Sequence, residues 1–337
     1  MRYSVITPGL LALAVAIPAA VEGQRVETAS GLVEFIGLEF TLAEELIDSL
    51  AVRVPDLNPA RFPEALVDMG FPRARVDQVA PAADGGTPRI ALVTVVERSR
   101  AGLLELNDSF GPPGPIPPRW EVAEVSFRDN NPTFLGAVMV RGLGGLEEIG
   151  SDPPINLGAD EIAEAGEALE LLDALVTGFD RGAAVRMLRE DGDPASRALS
   201  AAVLSGFPQD ERAWRSLMEA LLDPVANVNS FASQALGSLV ALGPIPVDWS
   251  PSTDAVRSLV AGANLAAFPL AIQVLTSTEV SPSLASAILG GNAHLILGHL
   301  ASEASPHREL VRRFLVQLRG QDLGTDVGAW RSWVESL

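Results

Sequence analysis

Cysteine and lysine are both missing from these 337 residues. Without cysteine there is no disulfide framework, no iron–sulfur ligation and no thiol nucleophile in them. Without lysine, all 24 basic side chains are arginine, which excludes a Schiff-base lysine, a P-loop lysine and a Ser–Lys dyad. A coding bias away from lysine codons explains the all-arginine pattern without invoking function. Aromatic residues make up only 5%, and Tyr3 is the single tyrosine. Positive charge is scarce as well: 43 acids give a net charge of -19. That balance argues against a nucleic-acid partner, because phosphate contacts need a dense basic patch.

What is present is apolar. The hydrophobic fraction is 47%, and the length suffices for two domains with a substantial core. Residues 1–23 pair Arg2 with a nearly unbroken apolar run, interrupted by Pro8 and Pro18 and followed by small residues. The run is short for a spanning helix and carries helix breakers, so it reads as a cleavable secretory signal, with an uncleaved anchor as the alternative. No later run has that character, and no integral span is expected after signal removal. The expected destination is the periplasm or the extracellular space.

Residues 27–150 are expected to form an N-terminal α+β domain. Segments 41–52 and 59–70 have helical spacing, and the β-branched run 89–97 suits a buried strand. In 121–142, Ala123, Val125 and Phe127 alternate with Glu124, Ser126 and Arg128, and Asp129-Asn130-Asn131-Pro132 supplies a turn, so a hairpin is expected. The proline-rich stretch 111–120 cannot be helix or central strand. It is a rigid connector or a polyproline ligand. Gly, Pro and Asp at 150–160 mark a boundary.

Beyond the boundary, helices follow one another to the end. In 160–178, Ile162, Ala165, Leu169, Leu172 and Val176 form one apolar stripe opposite crowded acids. The pair Asp-Pro at 193–194 recurs at 223–224, with Asp placed to cap a helix and Pro to open it. Paired helices at this repeat length, each unable to bury its stripe alone, are the pattern of an α-solenoid.

The stretch LMEALLDPVANVNSFASQALGSL, residues 217–239, resembles a HEAT repeat of the short bacterial kind related to phycobilisome-lyase-type repeats. Leu217, Ala220, Leu221, Asp223, Val228, Ala232, Ala235 and Leu236 stand at the family's offsets. Asn229 replaces the Arg that in the family pairs with the Asp of an adjacent repeat, so the resemblance implies a broken Asp–Arg ladder there. Asp193 and Arg197 keep a related but imperfect register. The end of the chain is similar to a terminal capping helix, with Trp330 and Trp333 on one face. The resemblance covers 159–337. It implies a mainly α fold, an α-α superhelix of armadillo type with a C-terminal Trp cap, whose working surface is the concave face of the second helices. Such arrays mostly bind proteins. Some relatives act on bilin-bearing proteins, an activity that fold analogy does not transfer.

Chemistry is sparse. His294 and His299 are five apart and point about 140° apart on a helix, which disfavours a shared metal. His299, Glu303 and His307 are spaced by four, but Pro306 should break that helix, leaving polar residues at a helix end. Glu190, Asp191 and Asp193 around Gly192 lack the alternation of a calcium loop and read as an inter-helix turn. Gly142 and Gly144 lack the third glycine of a dinucleotide loop. Glu97, Glu121 and Glu124 are explained as surface positions on strands. No catalytic residue, metal ligand or cofactor is assigned. Arg308, Arg312 and Arg313 form a small basic cluster, and Glu164 and Glu167 lie on the acidic helix. These five are the candidate partner-binding residues, their opposite charges orienting a protein partner; as plain solvated faces they need no partner. The expected function is an exported, non-enzymatic scaffold or protein–protein interaction module. The alternatives are an enzyme with its site in the N-terminal domain and an envelope structural protein.

Overall fold

The computed structural model describes residues 24–28, 31–79, 90–145 and 158–337. The expected signal and most of the 150–160 boundary lie outside the described residues. The chain is mostly helical, and among the described residues there is one small sheet near its N-terminal end. Strands β1 (Gln24–Thr28), β2 (Gly31–Ile36), β3 (Arg73–Val79) and β4 (Ile90–Val96) form a four-stranded sheet of order β1-β2-β4-β3. The central pair β2–β4 is parallel, and both outer pairs are antiparallel.

Strand periodicity gives the sheet two apolar faces. Val33, Phe35, Ala91, Val93 and Val95 point to one side, where helices α1 (Ala43–Arg53) and α2 (Phe62–Asp68) cover them with Leu46, Leu50, Phe62 and Leu66. Ile36, Leu92 and Val96 point to the other side and join the core of the helical part. Residues 90–96 of the segment 89–97 are thus the buried strand expected there. A strand buried on both faces reads as a continuous apolar run rather than an alternating one.

The expected hairpin at 121–142 is two helices, α3 (Glu121–Asp129) and α4 (Asn131–Gly142). The alternation there was fortuitous, since Val125 is 58% exposed, whereas Trp120, Ala123 and Phe127 are buried at helical spacing. Pro132 lies in the first turn of α4, where its missing N–H is harmless, so the turn signal marks a helix junction. Consequently the last part of 27–150 contributes helices, not strands.

Helices α5 (Ala159–Asp173), α6 (Gly178–Glu190), α7 (Pro194–Leu204), α8 (Glu211–Ala220), α9 (Ala226–Leu242), α10 (Thr253–Val260), α11 (Phe268–Ser277) and α12 (Ala285–Leu289) follow, then α13 (His294–Ala301), α14 (Arg308–Arg319) and α15 (Val327–Glu335). α6 packs on α8, α8 on α10, and α10 on α12; α7 packs on α9, and α9 on α11. The two rows are joined by the pairs α6–α7, α8–α9 and α10–α11. Each buried tryptophan donates its N–H internally: Trp120 to Asp180, Trp214 to the Pro208 carbonyl, Trp249 to Thr278 and Trp330 to the Gly324 carbonyl.

The face of the second row, expected as an open concave surface, is covered by the chain itself. α3 packs on α5 and α7, and α4 lies on α5 and α9. Every residue of α7 from Ser196 to Leu204 is buried. α13 packs on β2, α14 and α15 and is buried from His294 to Leu300, as expected for a helix apolar all round. No single helix among the described residues is long and apolar enough to cross a membrane.

Close helix approach sets a test with opposite signs. A Cβ at Gly142 would meet the Ser238 Cα at 2.8 Å, backbone that cannot yield, whereas Gly182 on α6 has open space around it. Gly142→Ala is expected to destabilise the fold by about 1–3 kcal/mol through overpacking. Gly182→Ala is expected to stabilise it by about 0.5–1 kcal/mol through helix propensity. Chemical denaturation of the two variants checks both.

Candidate functional site

The most elaborated surface lies where the turns between paired helices meet residues 104–117. This segment has no regular structure and runs along two successive turns as a strap. Asn107 N–H donates to the Leu222 carbonyl at 3.0 Å, and Gly111 N–H donates to the Glu190 carbonyl at 2.8 Å. Gly114 N–H donates to Asp191 Oδ2 at 3.2 Å. A side chain at Gly192 would run into the Gly111 carbonyl oxygen, so glycine is required there by close approach. The proline-rich stretch is therefore a connector in the described fold, docked on its own chain.

Under the strap lies a buried ion pair. Arg197 Nε and Nη2 donate to Asp223 Oδ2 and Oδ1 at 2.7 and 3.1 Å, and Nη1 donates to the Asp191 carbonyl at 2.8 Å. The side chains are only 2% and 1% exposed. Phe110 of the strap covers the guanidinium, its ring centre 3.7 Å from Cζ. Asp223 was expected to cap the helix that follows. Its carboxylate instead holds Arg197 and accepts the Val225 N–H, and α9 starts only at Ala226. Asp193 does cap α7, accepting from Ala195 N–H and Ser196 N–H, and it pairs with Arg128 of α3. Asp191 accepts the Asp193 N–H at 2.8 Å, so Asp191 and Asp193 are used in an inter-helix turn, as their spacing implied, while Glu190 is exposed.

Three clefts border the strap. The first, about 270 Å³, lies between Glu105–Asn107, Arg189, Glu219 and Asp254. The second, about 360 Å³, opens between the β3 edge and the turns at Leu221–Pro224 and Ala263–Ala266, with Leu106 at its border. The third, about 410 Å³, lies between Gly111–Pro115 and the end of α6. Their walls mix apolar side chains with charges, and no nucleophile–base pair is among them.

The five candidate partner-binding residues line none of these clefts. Arg312 is paired with Glu309 and Asp322, and Arg308 Nε donates to the Leu300 carbonyl at 3.0 Å. Arg313 is exposed, as are Glu164 and Glu167. Glu164 accepts from Thr133 at 3.4 Å. The acids lie on α5, which packs on α3, α4 and α7; the arginines lie on α14, which packs on α11 and α13. Glu97 is buried rather than on a strand surface, its carboxylate accepting from Phe40 and Thr41 N–H. Glu121 and Glu124 lie on α3. Gly142 ends a helix rather than following a strand. The residues missed were Arg73, Arg75 and Phe110. The period-2 spacing of the two arginines in RARVDQ was the available signal; nothing local to Phe110 announces its role.

His294 and His299 are core residues on α13, whereas His307 is partly buried and stands at the helix end expected of it, the N-cap of α14. His294 and His299 are 4% and 2% exposed. His299 stacks on Phe268 with centroids 5.2 Å apart, and its Nδ1 is 2.8 Å from Ser305 Oγ. His307 meets it edge-on at 5.5 Å because the turn after α13 folds back, not because one helix continues. Among the described residues no group of three His, Asp or Glu is placed to hold a metal ion.

Burial pulls His294 down to about 4, with Glu39 opposing and Arg100 reinforcing the shift. Burial, reinforced by His307, pulls His299 down to about 3. His307 is also lowered, by burial first, with Asp77 opposing and Arg75 reinforcing.

Two measurements follow from this geometry. Asp223→Ala leaves Arg197 buried and uncompensated, and is expected to destabilise by about 3–5 kcal/mol; Arg197→Met with Asp223→Leu should recover much of that loss in urea unfolding. Because the folded histidines titrate below their ordinary 6.5, the unfolded chain binds protons that the native state does not. Stability is therefore full above 6.5 and falls as pH drops through the interval down to the folded values. Calorimetric Tm should decline over that window, and His294→Leu with His299→Leu should make the decline shallower. Comparison with known proteins adds no relative to this picture: no family model, no curated protein and no solved structure matches the chain.

Proposed function

We propose that this chain is an exported, non-catalytic HEAT-like α-solenoid that serves as a protein-binding scaffold, with its working surface on the turn rim beside the strap. The single observation that carries this reading is the rim itself: three clefts that mix apolar side chains with charges border one docked strap. The succession of helix pairs, with first helices on first and second on second, supports the solenoid. The Arg197–Asp223 pair supports the HEAT likeness, since it spans two successive repeats as one rung of the family's ladder. At the next position Asn229 makes only an amide contact to the Asp223 carbonyl, in keeping with a ladder that stops. Trp330, buried in α15 with Trp333 edge-on at 5.8 Å, supports a C-terminal cap. The apolar, Pro-interrupted run after Arg2 supports export.

With the second-row face covered by α3–α5, a partner meets the rim instead. Net charge of -19 keeps acidic partners and nucleic acid away at long range. Affinity capture from envelope extracts with residues 24–337 should recover a stoichiometric protein partner. Glu105→Arg with Asp254→Arg, both in the first cleft, should reduce its recovery at least roughly tenfold, the equivalent of about 1.4 kcal/mol, while leaving circular dichroism and Tm unchanged. No stoichiometric partner, or one indifferent to the rim, would remove the scaffold reading.

A further inference from the structure

The second cleft differs from the rest of this acidic molecule. Arg73 and Arg75 line it from the edge strand β3, two residues apart and so on one face of the strand. Arg73 is positioned by its Nε, which donates to the Ala263 carbonyl at 3.0 Å, and by Nη1, which donates to the Pro72 carbonyl at 2.9 Å. Arg75 is positioned by Asp77, which accepts from Nε at 3.0 Å and from Nη2 at 2.9 Å. Among the described residues Nη2 of Arg73 and Nη1 of Arg75 take no partner. The one acid in the wall, Asp223, is already neutralised by Arg197. The remaining wall is apolar or amide: Leu106, Leu221, Pro224 and Leu265, with Asn229 and Asn264. Asn264 is held by its own bonds to the Leu221 carbonyl and the Ala267 N–H.

From this geometry we infer that the cleft between the β3 edge and the helix turns binds a carboxylate carried on an apolar body. Nη2 of Arg73 and Nη1 of Arg75 each keep N–H groups for a carboxylate oxygen, and held in place by backbone and Asp77 the two side chains lose little freedom on binding it. The leucines and Pro224 fit the apolar body. A ligand with a single negative charge suits the site best. The chain's net charge opposes a polyanion, whereas at contact distance, inside the Debye length of about 8 Å, the guanidinium of Arg73 dominates, since no carboxylate pairs with it while Asp77 pairs with Arg75. Two sources share this chemistry: the C-terminus of an apolar peptide, and a free amphiphilic carboxylic acid. The inference rests on the reading of the rim as a binding surface and names what one part of it takes.

Titration calorimetry on residues 24–337 tests it with three probes: an N-acetylated apolar hexapeptide with a free C-terminus, the same peptide as its C-terminal amide, and octanoate. The free acid is expected to bind, and the amide at least roughly tenfold more weakly, as for loss of one charge-assisted hydrogen bond. Octanoate binding as well as the peptide assigns the source to free amphiphilic acids; octanoate failing while the peptide binds assigns it to a protein C-terminus. Arg75→Gln should weaken the acid and leave the amide unchanged. Because the acid–amide comparison uses the unaltered chain, it stands even where Arg73→Gln disturbs the Ala263 contact. Equal binding of acid and amide, or no binding of either carboxylate, overturns the inference. Partner capture sensitive to Glu105 and Asp254 in the first cleft would then still uphold the scaffold, and its loss would remove that reading separately.

Discussion

The Arg197–Asp223 ion pair is the constraint on which the rim depends. Two charges removed from water are costly unless each finds full compensation, and here the compensation comes from three separate parts of the chain. Asp223 reaches in from the turn before α9, the Asp191 carbonyl from the turn before α7, and Phe110 from the strap. Their meeting sets the distance between successive helix pairs. It also holds the strap against the turns, where Gly192 gives it room. The clefts are what remains between a strap held at this point and the turns it crosses.

A second constraint works from the opposite side. α3, α4 and α5 pack onto the second-row helices, and α13 is closed in by β2 and its neighbours. With those helices covered by the chain itself, the clefts beside the strap lie at the turns rather than in a groove between helices. The same filling buries α7 over nearly its whole length and brings the backbones of Gly142 and Ser238 close together. The two arginines on the β3 edge gain their setting in this way, since the sheet and the turns meet only because the helical core shares Ile36, Leu92 and Val96 with the sheet.

Much of the local structure was legible. Helix stripes, the Asp193-Pro194 start and the buried run at 89–97 rest on periods of 3.6 and 2 and on capping, all of which act within a few residues. Failures came where a local pattern had two readings. At 121–142 the alternation of Val125 with its neighbours suited a strand, but burial of Trp120, Ala123 and Phe127 selected a helix. Asp223 had the position of a cap, but a buried guanidinium outweighs one backbone N–H as a partner for a carboxylate. His294, His299 and Glu97 looked like surface groups because a sequence window does not show which elements will close over it.

By itself the sequence determined composition-level chemistry and helix order. Without cysteine or lysine the mechanisms that need a thiol or a primary amine on a side chain are absent, and amphipathic runs of that spacing must pair to bury their stripes. The tertiary structure alone decided which faces are open. The covering of the second row, the strap over Arg197, and the meeting of the β3 arginines with turns nearly 150 to 190 residues further along all depend on contacts between distant segments. Such contacts are selected by the total burial they achieve, a quantity that no local window of sequence contains.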